Sequence, residues 1–165
     1  MKKIGFGFLA LIVVFAVVYV TFDRLGGNNP IEIELVNDSP PTLAGKKFKG
    51  QPQDEALGNT FRSIETLLSI NPGKKIHTIY YREPAGKLDT MEVFVGLDLP
   101  FAPAELTTVS FEEVKYLKAT IRGSSWVMPG PNKVKAKLEE EAKEQGLLLT
   151  GIFIDRIVNE NEVQV

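Results

Sequence analysis

The chain has 165 residues, 44% hydrophobic and 24% charged, with a formal net charge of −2, a composition that suits one ordinary globular domain carrying a hydrophobic appendage. The absence of cysteine removes disulfides, thiolate catalysis, zinc-thiolate sites and a lipid-modified cysteine at the amino terminus. No block of Lys and Arg is long enough to neutralise several phosphates, so nucleic acid is not an expected partner.

Residues 4–22 carry no charge, and at 1.5 Å per residue they span roughly 28 Å, close to the hydrocarbon thickness of a bilayer. The sequence therefore predicts a transmembrane anchor over residues 1–22. A cleaved signal peptide is the competing reading. Against it stand Val18, Val20 and Phe22, which are large where a cleavage site needs small residues. Lys2 and Lys3 precede the segment while Asp23 and Arg24 nearly cancel. The positive-inside tendency then keeps the amino terminus in the cytoplasm and places the single-pass protein's carboxy-terminal domain on the extracytoplasmic side. Residues 23–30, with Gly26-Gly27-Asn28-Asn29-Pro30, read as a flexible linker.

The domain proper is expected over residues 31–165. Ile31, Ile33 and Leu35 alternate with Glu32 and Glu34, the pattern of a half-exposed strand, and a second short strand follows over residues 42–49, with Lys46, Lys47 and Lys49 as edge charges. Over residues 54–70 the period becomes helical. Leu57, Phe61, Ile64 and Leu68 form one apolar stripe, and Asn71-Pro72-Gly73 stops the helix. Residues 76–82 and 91–97 are rich in β-branched and aromatic residues and flank a turn containing Pro84 and Gly86, which predicts a β-hairpin. Alternation along its first strand puts Tyr80 and Arg82 on one face and Ile79 and Tyr81 on the other. Past the irregular Pro100, Pro103 and Ala104, a strand pair is expected over residues 106–111 and 114–122. A helix follows from Pro131 to Gln145, with Val134, Leu138 and Ala142 inward and Gly146 as its left-handed terminus. Strands over 151–158 and 162–165 close the chain. The element order repeats, giving an α+β fold of duplicated β-α-β-β modules, about 31–100 and 101–165.

The residues offer little for catalysis. His77 is the only histidine and lacks the Gly-x-Ser-x-Gly that would accompany a hydrolase triad, so it reads as a plain strand residue. No metal-ligand spacing and no phosphate-binding glycine loop occur, so neither metal nor cofactor is expected. Better candidates are Tyr80, Tyr81, Glu92, Phe94, Tyr116, Trp126 and Asp155. Their flat rings, with a carboxylate close by, suit an amphipathic or cationic aromatic ligand in an apolar cleft. Phe94 and one of the two tyrosines also read as core.

The run Ile79-Tyr80-Tyr81-Arg82-Glu83-Pro84, followed by Leu88-Asp89 and Val95-Gly96, resembles the GyrI-like small-molecule-binding family, the effector-binding domain of AraC-type regulators. The anchor followed closely by Ile31-Glu32-Ile33-Glu34 and Ser39-Pro40-Pro41 is similar to the family's membrane-anchored branch. The resemblance covers residues 31–165. It implies two modules related by approximate twofold symmetry, with a cleft between them for a flat or cationic small molecule. It also implies two alternatives, a protein-interaction or receptor module with a vestigial cleft, and a hydrolase of a reactive small molecule. Where the family has a Glu before an aromatic residue, this chain has Asp155-Arg156-Ile157. The default reading is a noncatalytic domain whose partners are the membrane and either a small molecule or a protein.

Overall fold

The computed structural model describes residues 2–103 and 105–165, with side chains from residue 11 onward. Ala104 and the side chains of the expected anchor's first ten residues lie outside the described residues. Helix α1 spans Lys2–Arg24. Among the described residues no helix is long and apolar enough to cross a membrane. The side chains of α1 are described over residues 11–24. Its apolar side chains, among them Val14, Phe15 and Val18, are exposed.

The remainder is an α+β unit with one eight-stranded sheet. Its strands are β1 (Glu32–Val36), β2 (Leu43–Gly50), β3 (Ile76–Arg82), β4 (Met91–Leu97), β5 (Thr107–Val109), β6 (Tyr116–Arg122), β7 (Ile154–Asn159) and β8 (Glu162–Gln164). Helix α2 (Glu55–Ser69) joins β2 to β3, and α3 (Pro131–Glu144) joins β6 to β7. The sheet order is β1-β6-β8-β7-β3-β4-β2-β5, with every pairing antiparallel. Exchanging β1 with β5, β6 with β2, β8 with β4 and β7 with β3 reverses that order onto itself. The sheet thus has a twofold arrangement centred between β3 and β7. Each edge strand is lent across it: β1 precedes the first β-α-β-β run yet pairs with β6 of the second, and β5 does the converse. The strand pair expected between residues 106 and 122 therefore does not form. β5 and β6 take opposite ends of the sheet, because each finds a longer-range partner there.

Directly opposed residues share a face of the sheet, so the register assigns faces throughout. Ala44, Phe48, Met91, Val93, Val95 and Leu97 form a core beneath α2, where Leu57, Phe61, Ile64 and Leu68 pack as the stripe predicts. Ala119 and Ile121 face Val134 and Leu138 of α3. Following partners from Val93 through Tyr80, and from Ile76 through Ile157 and Val163 to Ile121, puts both helices on one face. The opposite face holds a smaller core of Leu43, Ile79 and Phe94. There Gly45 pairs with Gly96, and the Phe94 ring covers both glycines.

Local signals explain the ends of α3. Pro131 occupies its first turn, where a missing N–H costs nothing. At its other end Gly146 has φ +66, with Leu147 N–H donating to the Ala142 carbonyl and Gly146 N–H to that of Lys143, the paired bonds of a Schellman motif. The hairpin β3–β4 forms with a bulge after Tyr80, and Arg82 comes opposite Glu92. The extra residue moves Arg82 to the face opposite Tyr80, against the simple alternation. Residues after α1 are also less free than a glycine linker suggests. Ser124 N–H donates to the Leu25 carbonyl at 2.7 Å, and the Asn29 side-chain amide to the Arg122 carbonyl at 2.8 Å.

Candidate functional site

The seven residues singled out from the sequence fall into separate places. Tyr80 and Asp155 share the helix-bearing face, on adjacent central strands that lie between α2 and α3. Burial pushes the Asp155 carboxyl above its ordinary range, against the pull of Lys135, and Glu83 adds to the rise. The Tyr80 hydroxyl is raised by burial first and then by Asp155 and Glu83. Lys135, from α3, forms an ion pair with Glu83 and lies 5.2 Å from the centre of the Phe153 ring. Asp155 and Tyr80 are thus close enough to influence each other, beside one of the chain's own cations, Lys135.

Tyr81 and Glu92 lie together near Lys49 and Lys47. Burial first, and then Glu92, raises the Tyr81 hydroxyl. Lys47 lies 5.2 Å from the centre of its ring, and Lys49 is 3.9 Å from Glu92. This is an open surface. Phe94 is fully buried as the cover of the glycine pair. Trp126 stands 91% exposed in the loop after β6.

Tyr116 alone of the seven lines the best-formed cavity, of roughly 200 Å³. The sheet itself creates that cavity. β8 is only three residues long, so beyond Arg156 and Gln164 the strands β7 and β6 part and leave a notch. Leu117, Leu138 and Phe153 line it from the helical side. His77, Ile154 and Arg156 line it from the other. At its rim are the exposed Leu148, Leu149 and Ile152, from the connection between α3 and β7.

The polar groups of the notch come from the central strands. His77 and Arg156 are register partners. His77 is 3% exposed, and burial holds its imidazole below the ordinary value, with a backbone carbonyl and Asp98 opposing that shift. The Lys75 carbonyl, 3.0 Å from Nδ1, can only accept. The proton therefore sits on Nδ1, and Nε2 of the neutral ring is an acceptor. Arg156 donates through Nη1 to Gln164 Oε1 at 3.2 Å, while its buried Nε has no partner among the described residues. An apolar chamber with a few convergent polar groups is the usual form of a small-molecule site. Sequence reasoning missed His77, Arg156 and Gln164. The one available signal was the placement of two charged residues, Asp155 and Arg156, side by side inside an apolar strand, so that one charge must enter each face.

Neither a family model nor a curated protein matches the chain. Solved structures do match it. A hydrolase from Listeria innocua aligns with TM-score 0.54 and 10% identity, over 81% of this chain and 89% of that one. A conserved protein from the same organism aligns with TM-score 0.55 and 9% identity, over 81% and 89%. EcmrR in its complex with DNA aligns with TM-score 0.55 and 10% identity, over 98% of this chain and 66% of that one. The likeness is one of fold.

Proposed function

We propose that the chain is a membrane-anchored GyrI-like domain that binds a small amphipathic organic molecule in the notch between β6 and β7. The observation that carries this reading is the chamber itself. It is lined mainly by apolar side chains, together with the buried His77 imidazole and the side chain of Arg156. The twofold strand order and the fold-level likeness to EcmrR and the two Listeria proteins support the family assignment. The exposed apolar side chains of α1 support the anchor, and Lys2 and Lys3 its cytoplasmic start.

The test is a thermal-shift screen of the full chain in lipid nanodiscs against cationic, neutral and anionic aromatic compounds. A ligand at one hundred times its dissociation constant adds about 2.7 kcal/mol. For a protein of this size that raises Tm by roughly 5 to 11 °C. Leu149→Trp, which places a ring at the exposed rim, should remove the shift. No shift across the panel, or shifts indifferent to Leu149→Trp, would reject the notch as the site.

A second reading, hydrolysis of a reactive small molecule, is favoured by one observation. Asp155 is a partly buried carboxyl with a raised pKa beside a tyrosine, the environment of a general acid or base. Turnover of activated esters that disappears in Asp155→Asn, with the fold intact, would support it. Turnover equal in both proteins, or absent from both, would remove it.

A further inference from the structure

We propose that the notch selects an anionic head group, with Arg156 as the residue that holds it; this rests on the reading of the notch as a small-molecule site. Arg156 lies in the middle of β7, paired with β3 on one side and β8 on the other. It forms no ion pair with any carboxylate among the described residues. Its one hydrogen bond goes to a neutral amide, and Nε is sealed from solvent without a partner. Buried polar donors are almost always satisfied, and a guanidinium most strongly by a carboxylate or similar oxyanion.

The surrounding charges point the same way. Lys115 and Lys118 also line the notch, against Glu113 as its one carboxylate side chain. Lys118 is matched by Glu34, and Lys115 with Arg156 outweigh Glu113, which leaves one positive charge in excess. A cation would meet that net positive charge, with no carboxylate side chain but Glu113 to balance it. The apolar rim of Leu148, Leu149 and Ile152 accepts the rest of the molecule. The class of ligand is therefore a carboxylate or comparable oxyanion on a short apolar or aromatic body, opposite in sign to the cationic ligand expected from the sequence.

The test compares 3-phenylpropionate, 3-phenylpropanol and 3-phenylpropylammonium by calorimetric titration of the full chain in nanodiscs, with Arg156→Gln and Leu149→Trp alongside. The expected order is anion over alcohol over cation. Arg156→Gln should weaken the anion by roughly tenfold to a hundredfold, the usual loss for a hydrogen bond to a charged group. The same variant should weaken the alcohol far less than the anion, with circular dichroism showing that it is folded. If the alcohol or the cation binds as tightly as the anion and Leu149→Trp blocks it, the notch is a site but the charge selection is wrong. If none of the three binds, the reading of the notch falls with it. Equal anion affinity in Arg156→Gln would overturn the role of Arg156.

Discussion

Gly45→Ala offers a direct test of how the two-sided sheet is built. A Cβ on Gly45 would lie 2.1 Å from the Val95 carbonyl oxygen, 2.5 Å from Gly96 Cα and 2.7 Å from the Phe94 ring. Two of these obstacles are backbone of the paired strand and cannot rotate away. Relief requires β2 to separate from β4 and Phe94 to lift from the glycine pair. Such overpacking costs about 1 to 3 kcal/mol, equivalent to a fall in Tm of roughly 2 to 12 °C for a chain this long. Urea denaturation of the full chain, followed by near-ultraviolet circular dichroism, measures the loss. Gly86→Ala is the control, since no atom lies within 4 Å of a Cβ built there. A change below about 0.5 kcal/mol in Gly45→Ala, the range of ordinary surface substitutions, would refute the packing argument. It would also return Phe94 to the list of side chains free to meet a ligand.

Three other outcomes are expected. Ile64→Ala, at the fully buried centre of the α2 stripe, should cost about 2 to 5 kcal/mol by chemical denaturation, and a loss under 1 kcal/mol would place α2 off the sheet. The His77 imidazole is held below its ordinary value by burial, so near pH 6.5 the unfolded chain binds more protons than the folded one. Stability contributed by His77 should be full above pH 6.5 and fall as the solution is acidified through the folded-state pKa. A denaturation series in which His77→Gln follows the same pH profile as the parent would contradict this. Trp126 is the chain's single tryptophan, and its loop is hydrogen-bonded through Ser124 to the turn after α1. With α1 inserted in lipid, Trp126 emission should shift to shorter wavelength and be quenched by lipids brominated near the head group. Emission as red, and as open to acrylamide, as in detergent-free buffer would argue against that placement.

Much of the architecture was legible in the sequence because it depends on local periodicity. The α2 stripe, the two strands and turn of the hairpin around Pro84 and Gly86, and the Gly146 terminus follow from local spacings, and the repeated element order follows from reading those elements in sequence. What was not legible depends on pairing between distant strands. The lending of β1 to β6 and of β5 to β2 leaves no local trace, since an edge strand reads alike wherever it docks. The bulge after Tyr80 is another such case, because strict alternation assigns Arg82 to the wrong face. The site shows the same division. Tyr80 and Asp155 were both identifiable as candidates, yet only the β3–β7 register joins them, and the same register pairs His77 with Arg156. The notch lies where β6 and β7 run on past their shared pairing with β8, an arrangement that marks no particular residue.

The attachment after α1 also bears on how the notch is held. β6 begins at Tyr116, in the wall of the cavity, and ends at Arg122, whose carbonyl accepts from Asn29. Its seven residues extend roughly 23 Å. A strand of that length works as a strut between the wall of the notch and the residues that follow α1. Under the proposed reading of the notch as a ligand site and α1 as an anchor, the wall of the site and the residues after the anchor are held one strand length apart, and they cannot approach each other unless β6 gives up its pairing with β1 and β8.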